Sequence, residues 1–191
     1  DIRDLTDPKW KGRLGWAPTN GSFQAMVTGM RSSWGGAATR EWLEGMVKNE
    51  AKVYPKNTPQ VAAAAAGEID IGLVNHYYLH RFMAEEGDSF AARNYHPSAG
   101  GPGSLVMVAG AGILSTSDNK ENAEKFLGFM LSLAGQQYFA SQTFEYPLVE
   151  GVKTSYGLVP MDQIVNPGIM PGDLTDLEGT QKLLRDVGII P

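Results

Sequence analysis

The 191-residue sequence contains no cysteine. Disulfides, thiolate metal sites, redox-active dithiols and cysteine nucleophiles are therefore all excluded. The same absence leaves the cellular compartment undetermined, because there are no paired or free thiols to indicate an oxidising or a reducing environment.

Basic residues and long apolar runs are also scarce. The chain has 16 lysines and arginines against 21 aspartates and glutamates, which gives a formal net charge of −5. A nucleic-acid-binding surface needs a basic excess to neutralise phosphates, so we expect no nucleic-acid partner. No stretch approaches the roughly 20 consecutive apolar residues that a membrane-spanning helix requires.

Short apolar segments alternate with segments of helical periodicity along most of the chain. Strands are predicted at residues 14–17, 52–54, 69–74 and 105–114. Helices are predicted from residue 23 to the Ser/Gly-rich stretch at 32–36, over 37–48 and 58–66, up to about 86, over 117–142, and from 176 onward. This alternation predicts an α/β fold with a mainly parallel sheet and flanking helices.

Local signals refine several of these elements. The run IDIGLV at 69–74 is expected to be a central strand buried on both faces. Thr58 and Pro59 suit an N-cap and a first helical turn, Asp118 and Glu121 match a capping box, and Gly135 is expected to break the long helix. The apolar positions assigned to the last helix are Leu177, Leu183, Leu184 and Val187.

Polar residues follow two of the predicted strands, where parallel sheets collect ligands. The first group is Thr19-Asn20-Gly21-Ser22, which opens a helix with backbone N–H groups, a glycine and side-chain donors. It can be an anion site or an ordinary N-cap, and Asn57 with Thr58 carries the same ambiguity.

The second group, which runs from Asn75 to Tyr78, contains two adjacent tyrosines. Because the chain leaves the strand here, Tyr77 and Tyr78 can lean into the same cleft. Phenolate oxygen is a hard anionic donor suited to Fe(III), and a trivalent cation can displace the phenol proton, so binding should release protons. Packing of two neighbouring aromatic rings is the alternative interpretation.

Two histidines offer a different metal chemistry. His76 and His80 stand at i and i+4, a spacing that can hold zinc on a helix. The segment lacks the glutamate of a hydrolytic zinc helix, and surface or packing roles for both histidines remain open. No Ser-His-Asp pattern, paired carboxylates near the tyrosines or phosphate loop is present, so we expect no enzyme.

Four phrases together resemble the bacterial periplasmic ferric-ion-binding proteins of transferrin-like ABC uptake systems, which have a type II periplasmic-binding-protein fold. They are DLTDPKWKGRLGWAPTNGSFQ, GEIDIGLVNHYYLHRF, PGSLVMVAGAGIL and DLTDLEGTQKLLRDVGII. The resemblance implies that Tyr77 and Tyr78 are Fe(III) ligands. It further implies a synergistic anion, phosphate or carbonate, at the family-matching positions Asn20, Gly21, Ser22, Asn57 and Asn75. The loop at 19–22 has no tyrosine that would replace part of the anion site.

The resemblance also implies a two-lobed architecture. Residues 1–104 would form the second lobe, and 105–148 would belong to a first lobe whose N-terminal portion is absent. Residues 149–191 would be a return connection and a C-terminal helix on the second lobe. With its partner lobe missing, the segment 105–148 is expected to be exposed, to pack abnormally or to swap between associating copies.

The function implied by the resemblance is solute binding for an ABC importer, with the membrane permease as partner and ferric iron as cargo. An extracytoplasmic location is expected, in the periplasm or on a lipid anchor. Any signal peptide or lipid-bearing cysteine would lie upstream of Asp1, because the start DIRDLTDPKW lacks both signal-peptide regions. The alternatives are another solute on the same fold, such as a polyamine, a sugar or an organophosphate, and a zinc-dependent hydrolase that uses His76 and His80.

Overall fold

The computed structural model describes residues 1–154 and 157–191. Two positions of the predicted return connection lie outside the described residues. The α-helices over the described ranges are α1 (Gly21–Trp34), α2 (Gly36–Lys48), α3 (Asn57–Ala65), α4 (Tyr77–Glu86), α5 (Lys120–Met130), α6 (Leu133–Tyr138) and α7 (Leu177–Asp186). The strands are β1 (Leu14–Trp16), β2 (Lys52–Val53) and β3 (Ile71–Gly72). Short 3-10 helices occupy Ile2–Thr6, Pro8–Trp10, Pro102–Ser104, Met161–Gln163 and Pro171–Leu174, and a π-helical turn occupies Phe139–Thr143.

The chain divides into two compact units. The first unit comprises Asp1–Met107 and Ile164–Pro191, and the second comprises Val108–Gln163. The divisions predicted from the sequence are at 104/105 and 148/149. The assignment of these units to the lobes of a binding protein stays a prediction.

The sheet of the first unit is parallel and has β1 in its centre, in the order β2-β1-β3. Gly15 of β1 is in register with Lys52 on one side and with Gly72 on the other. The α/β class with a parallel sheet is therefore confirmed. The expectation of a central strand at 69–74 is wrong, because β3 lies at an edge of this sheet and is half-buried. An apolar run does not show which distant segments pair, and this pairing decides both the order of the strands and how much of each strand is covered.

Close packing explains the glycine in the central strand. A Cβ atom at Gly15 would lie 2.6 Å from Ile69 Cδ1 and 2.9 Å from Tyr54 Cε2. Real Cβ atoms do not approach other atoms this closely, so a side chain at position 15 would push apart the segments beside β1. The main core lies around this strand and is formed by Ile2, Leu5, Leu14, Trp16, Phe23, Val27, Met30, Trp42, Leu43, Met46, Leu183 and Leu184.

The last helix closes this core through an apolar side and a polar seam. Leu184 of α7 is fully buried, while the Oγ1 atoms of Thr28 and Thr180 are 2.8 Å apart in a buried position. Arg31 of α1 donates to an Asp176 carboxylate oxygen over 2.7 Å. This bond and the Gly179 N–H, which Asp176 caps, hold the pKa of the Asp176 carboxyl below its usual value.

Most predicted helices are present, but several of their ends differ. Thr58 is not the N-cap of α3, because the helix begins at Asn57 and Lys56 takes the cap position. In α7, Leu183 and Leu184 are buried as expected, whereas Leu177 is 44% exposed. Leu177 is the first residue of that helix, where the side chain is not yet covered by a neighbouring turn.

Two local expectations fail in the second unit. Asn119 takes the N-cap position of α5 without a side-chain hydrogen bond, so the capping box of Asp118 and Glu121 does not form. The long helix breaks at Leu131–Ser132, and Gly135 lies inside α6, whose N-cap is Ser132. Gly135 is close to the preceding helix end, since a Cβ there would lie 2.9 Å from Met130 O.

The apolar stretch at 105–114 has no strand structure. A strand needs a hydrogen-bonded neighbour, and neither parallel pairing of the sheet involves this stretch. Large apolar side chains in the second unit are exposed, namely Val108, Leu114, Phe126, Phe129, Leu131, Leu133, Tyr138, Leu148 and Met161. Within residues 1–154 and 157–191, the helices are too short or too polar to cross a bilayer.

The packing of α7 yields a stability prediction. Leu184→Ala removes a fully buried side chain from the core and should lower the free energy of unfolding by about 3 kcal/mol. Urea denaturation of the chain measures this change. The matched control is Leu177→Ala on the same helix, which should change the value by less than about 0.5 kcal/mol. Equal losses in both variants would contradict the described packing of α7.

Candidate functional site

Three helix N-termini gather at one edge of the parallel sheet. The strands β1, β2 and β3 run in the same direction, and the next helices along the chain are α1, α3 and α4, respectively. The carboxyl ends of parallel strands share an edge, and ligands bind there in open α/β sheets. Unsatisfied backbone N–H groups at helix starts favour anions at the same edge. The two groups of polar residues expected from the sequence belong to this edge.

At the start of α1, Asn20 acts as the N-cap. Its Oδ1 atom accepts hydrogen bonds from Ser22 N at 2.9 Å and from Ser22 Oγ at 2.6 Å. Gly21 is the first helical residue, and a Cβ at Gly21 would meet no atom within 4 Å. The structure therefore shows the capping arrangement, with open space over the helix start. Anion binding by these three residues stays a prediction.

Asn57 and Asn75, which are 18 residues apart, form one polar network. Asn57 Nδ2 donates to Asn75 Oδ1 over 2.9 Å, and Asn57 is only 2% exposed. Gln60 continues the network, because its Nε2 donates to Asn57 Oδ1 at 3.4 Å and its Oε1 accepts from Leu73 N at 3.1 Å. The network thus links the start of α3 to the segment that follows β3. Gln60 was not predicted as a site residue, although a single glutamine within an alanine-rich helix was an available signal.

Tyr77 and Tyr78 are the first two residues of α4. Their ring centroids are 4.6 Å apart with an interplanar angle of 36°, and both residues are half-buried. Tyr78 also packs against the apolar cluster formed by Val61, Leu79 and Phe90. The structure therefore brings the two phenols together and at the same time gives Tyr78 a packing role.

Two neighbours of the tyrosines, Arg81 and Asn94, were not predicted from the sequence. The guanidinium carbon of Arg81 lies 5.2 Å from the ring centroid of Tyr77 and 5.4 Å from that of Tyr78. Asn94 Nδ2 donates to the His76 carbonyl over 2.9 Å, which fixes the residue just before the pair. The helical spacing of Arg81, i+4 from Tyr77 and i+3 from Tyr78, was the available signal for this contact.

The two histidines lie close together at the start of α4. The ring centroids of His76 and His80 are 6.5 Å apart, and His80 is only 7% exposed. Burial, together with the positive charges of His76 and His96, lowers the pKa of His80. Among residues 1–154 and 157–191, no group of three or more histidine, cysteine, aspartate or glutamate side chains is placed to hold a metal ion.

A parallel α/β sheet with polar side chains and helix starts at its carboxyl edge occurs in many ligand-binding folds, and in the solved neighbours it is part of the type II periplasmic-binding-protein fold. The comparisons with known proteins agree with this class. Residues 2–159 match the family described as bacterial extracellular solute-binding protein, and the chain belongs to that family.

Curated relatives of this chain carry iron-related names. The major ferric iron-binding protein of Neisseria meningitidis serogroup B is 36% identical over 193 residues, which cover 98% of this chain and 57% of that protein. Iron uptake protein A1 of Synechocystis is 35% identical over 156 residues, covering 78% of this chain and 43% of that protein. The chain thus spans 57% or less of the length of these two relatives.

Solved structures give the same fold. Iron-bound HitA from Pseudomonas aeruginosa has a TM-score of 0.92 and 34% identity, with 98% of this chain and 61% of that chain covered. A Trichodesmium protein named IdiA or FutA, in complex with iron and citrate, has a TM-score of 0.85 and 29% identity, with 99% and 62% covered.

The asparagine network yields a prediction for the site. Asn57→Ala should lower the free energy of unfolding by about 1–3 kcal/mol, because it leaves polar atoms of the half-buried Asn75 and the buried Gln60 without their partner. Urea denaturation measures the loss. Thr58→Ala, at the exposed neighbouring position, is the control and should change stability by less than about 0.5 kcal/mol. An unchanged Asn57→Ala midpoint would show that the network adds no stability.

Proposed function

We propose that this chain captures ferric iron through the phenolates of Tyr77 and Tyr78 and a synergistic anion. In this proposal it is the solute-binding component of an ABC importer and delivers the iron to the membrane permease. The observation that carries the proposal is the pair of phenol rings at a strand-to-helix junction, whose centroids are 4.6 Å apart. It occurs in a chain that is 36% identical to a protein named major ferric iron-binding protein.

The chemistry of the pair suits a hard trivalent cation. Two phenolates supply anionic oxygen donors, which Fe(III) prefers over neutral nitrogen or sulfur ligands. A free phenol with a pKa near ~10 is protonated at neutral pH, so the bound metal must displace both protons. Iron binding is therefore accompanied by proton release.

An anion completes the proposed site. Fe(III) and two phenolates together keep one net positive charge, and the edge of the sheet collects helix N-termini that favour negative charge. The proposed anion ligands are Asn20, Gly21, Ser22, Asn57 and Asn75, with phosphate or carbonate as the anion. Citrate is a further source of oxygen ligands, since the Trichodesmium neighbour holds iron together with citrate.

The proposed role is binding without bond breaking. The family is one of solute-binding proteins, and a relative from Serratia marcescens is named Fe(3+)-binding periplasmic protein. These names support an extracytoplasmic location, in the periplasm or on a lipid anchor. Delivery to a permease follows from the same class of protein.

The lobe assignment is part of the proposal. Residues 1–104 with the last helix form the second lobe, 149–191 contain the return connection, and 105–148 belong to the first lobe. The remaining length of the relatives has no counterpart in this sequence. The exposed apolar side chains of the second unit support the expectation that this part associates or swaps between copies when it lacks a partner.

A ferric titration followed by visible absorbance tests the iron proposal. Addition of a ferric chelate to the chain should produce a phenolate-to-iron charge-transfer band, because phenolates bound to Fe(III) absorb visible light. Tyr77→Phe and Tyr78→Phe should each weaken the band, and the double variant should abolish it. Zinc should give no band with any variant.

The control for this titration is Tyr95→Phe. Tyr95 is 78% exposed and lies outside the pair, so its loss should leave the band intact. If the unaltered chain shows no band at any ferric concentration, the tyrosines are packing residues and organic solutes become the next candidates.

Position 21 allows a sharp test of the anion. Gly21→Pro removes the N–H group of the first helical residue, where proline is otherwise favoured. The preceding Asn20 already has the extended backbone that proline requires. In Gly21→Pro, the phosphate concentration that gives half-maximal enhancement of the ferric band should rise about fivefold to tenfold, because one hydrogen-bond donor to the anion is lost. Gly21→Ala retains the N–H and should match the unaltered chain. Equal phosphate responses in both variants would contradict an anion at this helix start.

A further inference from the structure

One arginine is shared between the two phenols. The guanidinium carbon of Arg81 lies within 5.2 Å and 5.4 Å of the ring centroids of Tyr77 and Tyr78. A cation over an aromatic face is attracted by the ring, and a planar guanidinium can stack where an ammonium cannot. Arg81 therefore places one positive charge against both proposed iron ligands.

Arg81 forms no ion pair with a carboxylate in the described part of the chain. The ion pairs among residues 1–154 and 157–191 involve other basic groups, and the Arg81 side chain is exposed. Other arginines differ in this respect. Arg31, for example, forms an ion pair with the Asp176 carboxylate over 2.7 Å. The Arg81 charge thus remains available to whatever occupies the site.

The balance of charge determines which cargo fits. Fe(III) with two phenolates has one net positive charge, and Arg81 adds a second at short range. A bare or charge-neutral ferric complex would meet this positive field without compensation, whereas anionic ligands on the iron would be attracted by it.

We propose that Arg81 is a specificity-determining residue that makes this site prefer ferric iron carried with anionic ligands over iron in a charge-neutral complex. This inference rests on the proposed function, because it concerns the same two phenols. Arg81 acts through charge and through contact with the rings, and it does not bind the metal. A residue that only held the rings in place would affect all ferric complexes equally.

The test compares two chelates of different charge. Ferric citrate with excess citrate is strongly anionic, whereas in ferric nitrilotriacetate the ligand only cancels the metal charge, and hydroxide bound near neutral pH leaves a much smaller negative charge. For each chelate, the affinity of a variant is divided by that of the unaltered chain, so that the stability of the chelate itself cancels. The charge-transfer band provides the readout at low and at high salt.

Arg81→Gln should weaken binding of ferric citrate about fivefold to tenfold more than binding of ferric nitrilotriacetate. The difference should shrink at high salt, because exposed charges are screened. Arg81→Lys keeps the charge and should restore most of the preference. Arg185→Gln removes an equal charge from an exposed position on α7 and should alter neither affinity.

The failures of the two proposals are distinguishable. If the unaltered chain shows the band but Arg81→Gln weakens both chelates equally or neither, the iron site stands and the role of Arg81 is refuted. If the unaltered chain shows no band with either chelate, the proposed function fails and the inference about Arg81 fails with it.

Discussion

The parallel pairing of β1 with β2 on one side and β3 on the other is the constraint on which the site depends. Because the three strands run in one direction, the helices that follow them begin at the same edge of the sheet. Segments that are 37 to 57 positions apart in sequence thereby become neighbours, with Gly15 in register with both Lys52 and Gly72. The absence of a side chain at Gly15 lets this pairing form, since Ile69 and Tyr54 occupy the space beside it.

Polar contacts then hold the edge in place. The bond between Asn57 and Asn75 connects two helix starts that the chain alone would leave independent, and Gln60 ties both to the backbone of Leu73. Buried polar networks are stabilising only when their members are satisfied, so each amide constrains the others. Tyr78 adds an apolar attachment, because its ring packs on the cluster around Val61. The ring of Tyr78 is thus held by packing within the first unit.

The second unit has a different character. Its helices α5 and α6 carry exposed apolar residues such as Phe126, Phe129 and Leu133, and its apolar stretch lacks strand structure. A large exposed apolar surface is uncommon in a protein that functions as a monomer and often marks an interaction surface. The chain also spans only 57% of the meningococcal relative. The first unit, in contrast, has a large buried core that includes Leu183 and Leu184 of the last helix.

The sequence by itself determined the α/β class, most helices, and the position of Tyr77 and Tyr78 at a strand-to-helix junction. These features follow from local periodicity and from residue chemistry, and both can be identified from residues that are close together in the sequence. Only the tertiary structure decided that β1 is the central strand, that Asn57 bonds to Asn75, and that residues 105–114 remain without a partner strand. Strand order and side-chain networks depend on pairing between distant segments, and no local pattern records which segments pair.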